Sequence, residues 1–405
     1  MGILSEIKRV ELIECFSGIG AQAKALKEVL KNTNIDYELQ LTCEWDINSI
    51  GSYKAIHYPN DNSDYSSGLL KEELVNILFE KGISSNGKEP LSKESIQRYD
   101  ENKLRTIYNN IIATKNQVNI MTLKGEDLKI TDTNENLYML TYSFPCTDIS
   151  NIGQQKGMNR GSNTRSGLLW EIERLLNECL DYSSKLPQVL LMENVSAIHN
   201  SKNINVFSEW IEFLDGLGYS NYYEDIIGTD FGIPQGRKRC FMVSILGKHK
   251  YNFPSKIKSN YNLKDFLRLD YTNNVYWEEA LESQPNDTAS RRDIWKREIK
   301  IVDEFSNINK YTRTITTKQD RSPNAGVIYF DYINNAKSKF RYLTPRECFL
   351  LMGFTEDDFE KAKRVNNTAQ LYKQAGNGIV TTCLIGIFGK LFDVDYSSII
   401  NELVK

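Results

Sequence analysis

The sequence predicts an α/β fold, in which helices cover both faces of a mostly parallel sheet, together with a second, smaller domain. Short apolar runs typical of strands recur at 10–16, 37–44, 137–144, 189–192 and 241–246. Stretches with helical spacing lie between them, notably 21–31, 167–180 and 205–217. Strands that alternate with helices favour a parallel, doubly covered sheet. The chain has 405 residues, which exceeds one typical domain.

Composition places the chain among soluble globular proteins. It is 40% hydrophobic and 25% charged, and its formal charge of −3 argues neither for nor against a nucleic-acid partner. The sequence contains no run of about 18 apolar residues, so we expect no membrane span. The first ten residues mix charged and apolar side chains and contain no apolar core of a signal peptide.

The cysteines and histidines argue against a metal protein. The seven cysteines are far apart and form no C-x-x-C pair, and the three histidines form no H-E-x-x-H motif. We therefore expect neither a metal site nor a disulfide framework. An odd number of unpaired thiols suits a reducing cytoplasm, which predicts a cytoplasmic protein.

Changes of texture along the chain divide it into three parts. Residues 8–247 carry the strand and helix pattern and form the predicted catalytic core. Within them, 60–118 are polar and are interpreted as a surface insertion. Residues 248–340 are polar with scattered aromatic side chains, which indicates a smaller domain. From 341 to 405 the pattern is again helical, as if the chain returned to the first domain.

A glycine turn follows the first strand. Gly18-Ile19-Gly20-Ala21-Gln22-Ala23 fits G-x-G-x-x-A, in which glycines allow a ligand close to the backbone at a helix N-terminus. Glu44 ends the next predicted strand, where an acid commonly binds ribose hydroxyls, and Trp45 could stack on an adenine. These residues indicate a nucleoside cofactor, of either a nicotinamide enzyme or a methyltransferase. A turn needed only for chain reversal is the alternative.

Two reactive side chains stand at the ends of later strands. Cys146 follows Pro145 after the strand at 137–144, and Glu193 follows the apolar run at 189–192. Ligands of α/β folds bind at this edge of the sheet. Cys146 is therefore either a nucleophile or a buried structural cysteine. Glu193 is either an active-site acid or a capping or salt-bridging residue.

A basic run precedes the last predicted strand. Residues 231–260 contain seven Lys or Arg, among them Arg237 and Arg239, and no Asp or Glu. Such a run is commonly a solvated face. Here it borders the proposed site, which favours a phosphate-bearing partner.

Taken together, the motifs resemble the cytosine-5 DNA methyltransferases, especially the bacterial restriction-modification type. The matching segments occur in the family's order over nearly the whole chain. They are Phe16-x-Gly18-x-Gly20, Glu44-Trp45-Asp46, Glu126-Asp127-Leu128, Phe144-Pro145-Cys146, Thr164-Arg165-Ser166-Gly167, Glu193-Asn194-Val195, Gln235-x-Arg237-x-Arg239, Arg341-x-Leu343-Thr344-Pro345-Arg346-Glu347 and Gly376-Asn377-Gly378-Ile379-Val380.

The resemblance implies a Rossmann-like methyltransferase core and a covalent mechanism. The thiolate of Cys146 would add to C6 of a cytosine, whose C5 then takes the methyl group of S-adenosylmethionine, with S-adenosylhomocysteine as product. Glu193 would bind the N3 and amino edge of the base. Arg239, and by the motif Arg237, would hold the cytosine O2 and adjoining carboxylates or phosphate.

The resemblance also implies the cofactor contacts. These would come from Phe16, Gly18, Ile19, Gly20, Glu44, Trp45, Asp127, Leu128, Pro145 and Asn377. Glu44 would bind the ribose, Asp127 would accept a hydrogen bond from the adenine amino group, and Asn377 would close the pocket.

The expected partner is double-stranded DNA, from which the target cytosine must rotate out of the helix. The glycine-rich, basic segment 150–165 is either a lid that folds over the DNA or an ordinary surface loop. Residues 248–340 would be the target-recognition domain. A separate restriction endonuclease would complete the system, and the methyltransferase is expected to be a bacterial, cytoplasmic monomer.

Three departures and three rival functions accompany this hypothesis. The gap of 83 positions from Glu44 to Asp127 is long for the family, Thr147 stands where Gln is commoner, and Gly378 replaces the usual Ser. A transfer-RNA cytosine-5 methyltransferase is the main alternative, although its usual Cys-Phe-Thr tripeptide is missing. An inactive DNA-binding module and a nicotinamide oxidoreductase are the others.

Overall fold

The computed structural model describes residues 7–145, 158, 160, 165–259, 261–333 and 336–404. The chain forms two compact units. The first comprises Met1–Ile226, Arg239–Pro254 and Ile387–Val394, and the second comprises Ile227–Lys238, Ser255–Gly386 and Asp395–Lys405. Each unit is built from several chain segments, so neither is a simple stretch of sequence.

The strands of the described residues are β1 (Arg9–Cys15), β2 (Asp36–Cys43), β3 (Asn136–Tyr142), β4 (Val189–Asn194), β5 (Tyr219–Ile227), β6 (Lys238–Leu246), β7 (Lys300–Val302), β8 (Val327–Tyr329) and β9 (Phe340–Arg341). The helices are α1 (Ala21–Leu30), α2 (Ile47–His57), α3 (Lys71–Glu80), α4 (Lys93–Gln97), α5 (Glu101–Ala113), α6 (Leu169–Ser183), α7 (Ile204–Gly216), α8 (Asn274–Glu282), α9 (Ala289–Arg297), α10 (Pro345–Leu350), α11 (Glu356–Lys363), α12 (Thr368–Asn377), α13 (Thr381–Phe392) and α14 (Tyr396–Leu403). Short 3-10 helices occupy Gly125–Leu128, Arg165–Leu168, Ser196–His199, Gly228–Phe231 and Leu263–Phe266.

The first unit is built on a six-stranded sheet in the order β2-β1-β3-β4-β6-β5. β1 pairs in parallel with β2 and β3, β3 pairs in parallel with β4, and β6 is antiparallel to β4. The predicted α/β fold with a mostly parallel sheet is confirmed. Because β6 runs in the opposite direction, its first residues lie at the same edge as the last residues of β1, β3 and β4.

The central strands are apolar on both faces, as expected for a sheet covered by helices. On one face, side chains such as Ile13 and Leu140 join a buried cluster with Leu175 of α6 and Trp210 of α7. Residues of the opposite parity, such as Met139, are equally buried, and α1 contacts β1 and β2. This double burial explains why apolar residues in β1, β3, β4 and β6 do not simply alternate with polar ones.

The segment 60–118 has an apolar core of its own. Leu74 and Leu78 of α3 pack with Leu104 and Ile107 of α5, and the same cluster includes Ile50 of α2. The segment interpreted as a surface insertion therefore contains helices that share a buried apolar layer with α2, and its status as an insertion stays a prediction.

The second unit contains a three-stranded sheet in the order β7-β8-β9 and a fully buried ion pair. Arg341 donates from Nη1 and Nη2 to the two carboxylate oxygens of Glu347 at 2.8 and 2.9 Å, and both side chains have no exposed surface. The backbone N–H groups of Thr344 and Arg268 donate to the same carboxylate. The first and last residues of the Arg-x-Leu-Thr-Pro-Arg-Glu motif thus bind each other in the interior of this unit.

The assignment of 248–340 to target recognition and of 341–405 to a return of the catalytic domain stays a prediction. The compact units are defined by packing, and they place all of 341–386, together with Asp395–Lys405, in the same unit as the preceding segment. By length and composition alone, Thr368–Phe392 could cross a membrane, but most of its apolar window is buried inside the protein, as in core helices.

A buried carboxylate lies beneath the glycine turn. Glu14 of β1 has no exposed surface, and it accepts hydrogen bonds from the hydroxyl of Tyr53 at 2.8 Å and the N–H of Ala23 at 3.4 Å. Burial raises the pKa of Glu14 to about 7, a shift that these hydrogen bonds only partly offset. The folded chain therefore holds this proton at pH values where the unfolded chain has released it.

We expect Glu14 to make the unfolding free energy fall as pH rises. Below pH ~4.5 both states carry the proton, whereas above pH ~7 the folded state retains a buried charge at a cost of about 3 kcal/mol. In Glu14→Gln this component disappears, so urea unfolding should find the variant gaining stability relative to the wild type between pH 5 and 8. Glu135→Gln, at an exposed position, serves as the control. Parallel pH profiles for Glu14→Gln and the wild type would contradict the assignment.

Candidate active site

The glycine turn that follows β1 has the backbone of a ligand-binding loop. Phe16, Gly18 and Gly20 have φ values of 57°, 54° and 82°, a region that favours glycine. Among the described residues, no heavy atom lies within 4 Å of the point that a Cβ on Gly18 would occupy, so this position faces open space. At Gly20 a Cβ would lie 2.3 Å from Nε2 of His57, and only glycine fits there.

Glu44 is held against this turn from two sides. Its carboxylate accepts hydrogen bonds from the N–H of Gly18 at 3.0 Å and from the N–H of Asp46 at 2.8 Å. The buried side chain of Asn116 accepts from the N–H of Glu44 at 3.1 Å and donates to its carbonyl at 2.9 Å. The predicted glycine turn and acid are thus in direct contact, and the acid cannot rotate without breaking these bonds.

Four other predicted cofactor residues of this unit have defined surroundings. Ile19 is buried, and its carbonyl lies 3.0 Å from Nε2 of His57. Trp45 is half-buried against the cluster formed by α2, α3 and α5. Asp127 and Leu128 belong to a 3-10 helix, in which Asp127 accepts from the N–H of Lys124 at 2.9 Å.

Glu193 and Arg239 are brought together at the edge where β4 ends and β6 begins. The Nε of Arg239 lies 3.3 Å from Oε1 of Glu193, and their side chains are only 16% and 11% exposed. In the antiparallel ladder Glu193 stands opposite Phe241 and Asn194 opposite Cys240, so Arg239 reaches Glu193 along the diagonal. A partly buried guanidinium beside a carboxylate can bind a polar, planar ligand.

The chain that leads to Cys146 is fixed by two buried polar side chains. Nδ2 of Asn194 donates to the carbonyl of Phe144 at 3.0 Å, and Oγ of Ser166 donates to the carbonyl of Pro145 at 2.8 Å. Asn194 and Ser166 are 2% and 0% exposed. Cys146 itself lies outside the described residues, so its position as a nucleophile stays a prediction.

Arg237 and Asn377 belong to the second unit. The guanidinium of Arg237 is buried and donates to the carbonyls of Ile315 at 3.1 Å, Gly376 at 3.2 Å and Gly378 at 2.7 Å. Asn377 is the last residue of α12, and its side chain is exposed. These contacts make Arg237 a support for the turn that carries Asn377, while its direct role on the substrate stays a prediction.

Of the segment 150–165, interpreted as a lid or a surface loop, the structure describes Met158, Arg160 and the backbone of residue 165. The guanidinium of Arg160 lies 3.9 Å from the centre of the Trp170 ring and pairs with Glu173 and Glu209 at 2.6 Å each. The indole N–H of Trp170 donates to the carbonyl of Met158. This part of the segment is therefore docked on α6 and α7.

Several supporting residues were missed from the sequence as site residues. Asn194 and Ser166 stood in the recognised motifs, but their hold on the chain before Cys146 required coordinates. Asn116 lies 72 positions from Glu44, at the end of the segment interpreted as an insertion, and no local pattern marks it. Glu14 reads as an ordinary strand residue.

The residues present fit a nucleoside cofactor. The open space at Gly18 allows a ligand to come close to the protein backbone. The carboxylate of Glu44 lies beside it and can accept hydrogen bonds from ribose hydroxyls. A nucleoside would thus meet a hydrogen-bond acceptor and a bare backbone at the carboxyl ends of β1 and β2.

Solved structures support the fold. A methyltransferase structure from S. pombe, Dnmt2, has a TM-score of 0.59 and 17% identity, and covers 95% of this chain and 98% of its own. The Entamoeba histolytica methyltransferase EhMeth has a TM-score of 0.58 and 19% identity, with coverage of 95% and 98%. At these identities the likeness concerns the fold alone.

Sequence comparisons show the family. A model described as C-5 cytosine-specific DNA methylase matches residues 79–393. The orphan methyltransferase M.SssI of Spiroplasma monobiae is 34% identical, covering 96% of this chain and 98% of its own. The type II methyltransferase M2.ScrFI of Lactococcus lactis subsp. cremoris is 31% identical, with coverage of 95% and 99%. This chain belongs to the C-5 cytosine-specific DNA methylase family and is a DNA cytosine-5 methyltransferase that uses S-adenosylmethionine.

Proposed function

We propose that the protein methylates C5 of a cytosine rotated out of double-stranded DNA, through a covalent bond between Cys146 and C6 of the base. The observation that carries this proposal is the contact of Glu193 with Arg239 at 3.3 Å, beside the strand end that leads to Cys146. C5 of cytosine is a poor nucleophile until a thiolate adds at C6. The reaction therefore needs a thiol close to the side chains that bind the base.

Two side-chain hydrogen bonds to the chain just before Cys146 support its role as the nucleophile. Asn194 and Ser166 hold the carbonyls of Phe144 and Pro145, so the backbone is fixed up to the residue before Cys146. In the proposed step the sulfur of Cys146 forms a bond to C6, and the electron pair of the C5–C6 double bond moves toward C5. After methylation a base removes the C5 proton, and the bond to sulfur breaks.

Glu193 and Arg239 supply the binding of the cytosine edge. The carboxylate can accept from the 4-amino group and from N3–H, while the guanidinium donates to O2. We infer that protonated Glu193 donates its carboxyl proton to N3 as the thiolate adds to C6, which drains the charge that builds on the ring, and that the resulting carboxylate takes the proton back when the bond to sulfur breaks.

The cofactor end is assigned to the glycine turn and Glu44. S-adenosylmethionine, when bound, supplies an electrophilic methyl group on a sulfonium. Gly18 lets the ligand approach the backbone, Glu44 accepts from the ribose, and the α1 N-terminus borders the turn. Phe16, Trp45, Asp127, Leu128, Pro145 and Asn377 complete the proposed set, in which Trp45 packs on adenine and Asp127 accepts from its amino group.

Double-stranded DNA is proposed as the substrate and the bacterial cytoplasm as the compartment. Relatives named type II methyltransferases support a restriction-modification role with a separate endonuclease, while the 34% identical relative is named an orphan methyltransferase. A monomer that uses no metal cofactor was expected from the sequence, and it remains the proposal for the methyl-transfer reaction. The transfer-RNA alternative is tested by offering both nucleic acids.

We expect Cys146→Ser to abolish methyl transfer while leaving cofactor binding intact, because serine cannot supply a thiolate at neutral pH. Duplex DNA containing 5-fluorocytosine should trap the wild type as a denaturation-resistant adduct in the presence of S-adenosylmethionine, and should not trap the variant. Cys179→Ser, a buried thiol on α6, is the matched control. Normal turnover in Cys146→Ser would refute the covalent mechanism, and methylation of transfer RNA in preference to DNA would refute the substrate.

We expect Glu193→Gln to lower kcat by about 10²-fold or more, since the amide cannot take part in proton transfer. The affinity for S-adenosylhomocysteine should stay near the wild-type value, because Glu193 contacts the base rather than the cofactor. Single-turnover methylation assays and calorimetry separate the two effects. Glu224→Gln on the exposed side of β5 is the control. A variant with wild-type kcat would remove Glu193 from the mechanism.

We expect Asn116→Ala to weaken S-adenosylhomocysteine binding by about 5- to 30-fold. The substitution removes the side chain that fixes the backbone of Glu44, at a cost of about 1–2 kcal/mol. At saturating cofactor, kcat should change little. Calorimetric titration measures the affinity, and Asn119→Ala, which removes only a local turn contact, is the control. Unchanged affinity would show that Glu44 needs no such support.

A further inference from the structure

A cluster of three potential metal ligands lies next to the proposed active site. His199 ends the 3-10 helix Ser196–His199, Asp225 belongs to β5, and Cys240 belongs to β6. Their donor atoms all lie within 4.8 Å of one another, and within the described part of the chain this is the one such group of three or more. None of the three has a role in the proposed mechanism.

The distances suit a tetrahedral ion after small side-chain movements. Nε2 of His199 lies 2.9 Å from Oδ1 of Asp225. With bonds of about 2.0–2.3 Å, a tetrahedral zinc ion sets its ligand atoms about 3.3–3.6 Å apart. The His–Asp contact would open by about half an ångström, and the thiolate, which lies within 4.8 Å of both atoms, would approach by no more than about 1.3 Å. Rotation of the two partly exposed side chains can supply both changes.

The donor set is that of a borderline-soft cation. Imidazole nitrogen, thiolate sulfur and a carboxylate oxygen are the three ligand types that zinc takes in proteins, whereas magnesium and calcium prefer oxygen alone. Cys240 has no exposed surface, while His199 and Asp225 are 31% and 16% exposed. Water can therefore reach the cluster from one side and provide the fourth ligand.

The cluster joins three elements behind the Glu193–Arg239 pair. Cys240 directly follows Arg239 in β6 and stands opposite Asn194 in the ladder with β4. Asn194 in turn holds the carbonyl of Phe144. An ion bound here would tie the 3-10 helix and the end of β5 to the strand that carries Arg239.

We propose that His199, Asp225 and Cys240 form a binding site for a single zinc-class divalent ion, which stabilises the β5–β6 edge of the first unit. The spacing of the three residues matches no short zinc motif, so the sequence led to the opposite expectation of no metal. The site is separate from the methyl-transfer chemistry, and its test does not depend on the proposed roles of Cys146 or Glu193.

The test uses the full chain in a Cys146→Ser background, which removes the other thiol proposed to be reactive. After dialysis against a chelator, Co²⁺ is added as a spectroscopic probe. We expect one equivalent to bind, with thiolate-to-cobalt charge-transfer absorption in the near ultraviolet. Zn²⁺ should displace the cobalt and raise the unfolding temperature, because it binds only the folded chain.

Three variants locate the ion. Cys240→Ser should lose the charge-transfer absorption, while His199→Asn and Asp225→Asn should keep it and bind cobalt more weakly by more than about tenfold, each having lost one of three protein ligands. Cys179→Ser is the matched control and should behave as its parent. Circular dichroism and binding of S-adenosylhomocysteine verify that each variant is folded.

Two results would overturn the proposal. The first is the absence of charge-transfer absorption in the parent at equimolar cobalt, which would reduce the cluster to a His–Asp hydrogen bond beside a buried thiol. The second is absorption that persists unchanged in Cys240→Ser, which would place the metal at another cysteine. If Cys240→Ser does not fold, unchanged affinity in both His199→Asn and Asp225→Asn leads to the same conclusion.

Discussion

The antiparallel pairing of β4 with β6 fixes the geometry on which the proposed chemistry depends. Through this register Glu193 lies diagonal to Arg239, and Asn194 lies opposite Cys240. A slip of one residue would move every side chain of β6 to the other face of the sheet. Both faces of this strand pair are buried, so such a slip would force Met192, Phe241 and their neighbours to repack against different side chains in a close-packed interior. The apolar core of the sheet therefore sets the contact between a carboxylate and a guanidinium at its edge.

The cofactor end of the site depends on a different support, the segment between β2 and β3. Asn116 lies at the end of this segment and binds both backbone groups of Glu44, while His57 of α2 packs against Gly20 and the carbonyl of Ile19. An addition to the family pattern has thus become part of the frame that holds the glycine turn and its acid. Its own apolar cluster makes this frame rigid enough to orient one carboxylate.

The sequence predicted the parts of the protein whose signal is local. The strands β1, β3, β4 and β6 are rich in apolar residues, and the glycine turn and strand-end residues follow the apolar stretches directly. β5 was missed because it is half-exposed and mixes tyrosines with acids, and α2 because its buried residues lie around the helix without an apolar stripe. Asn116 could not be assigned, since its role depends on a contact across 72 residues. Whether Cys146 faces Glu193 stays a prediction, because residue 146 lies outside the described part of the chain.

The number of cations in the basic run at 231–260 does not tell how many of them are exposed to a partner. Seven cations without an acid favour a phosphate partner, yet the structure gives three of them internal partners. Arg237 donates to three backbone carbonyls, Arg239 pairs with Glu193, and Lys256 pairs with Asp230 at 2.7 Å. The exposed members are Lys238, Lys248, Lys250, Lys256 and Lys258. Any salt-dependent attraction to DNA from this run must therefore come mainly from its lysines, since contacts with phosphate require exposed charge. In the Gln-x-Arg-x-Arg motif, Arg237 donates to the backbone of a turn and Arg239 contacts Glu193, so neither arginine is an exposed charge of this run.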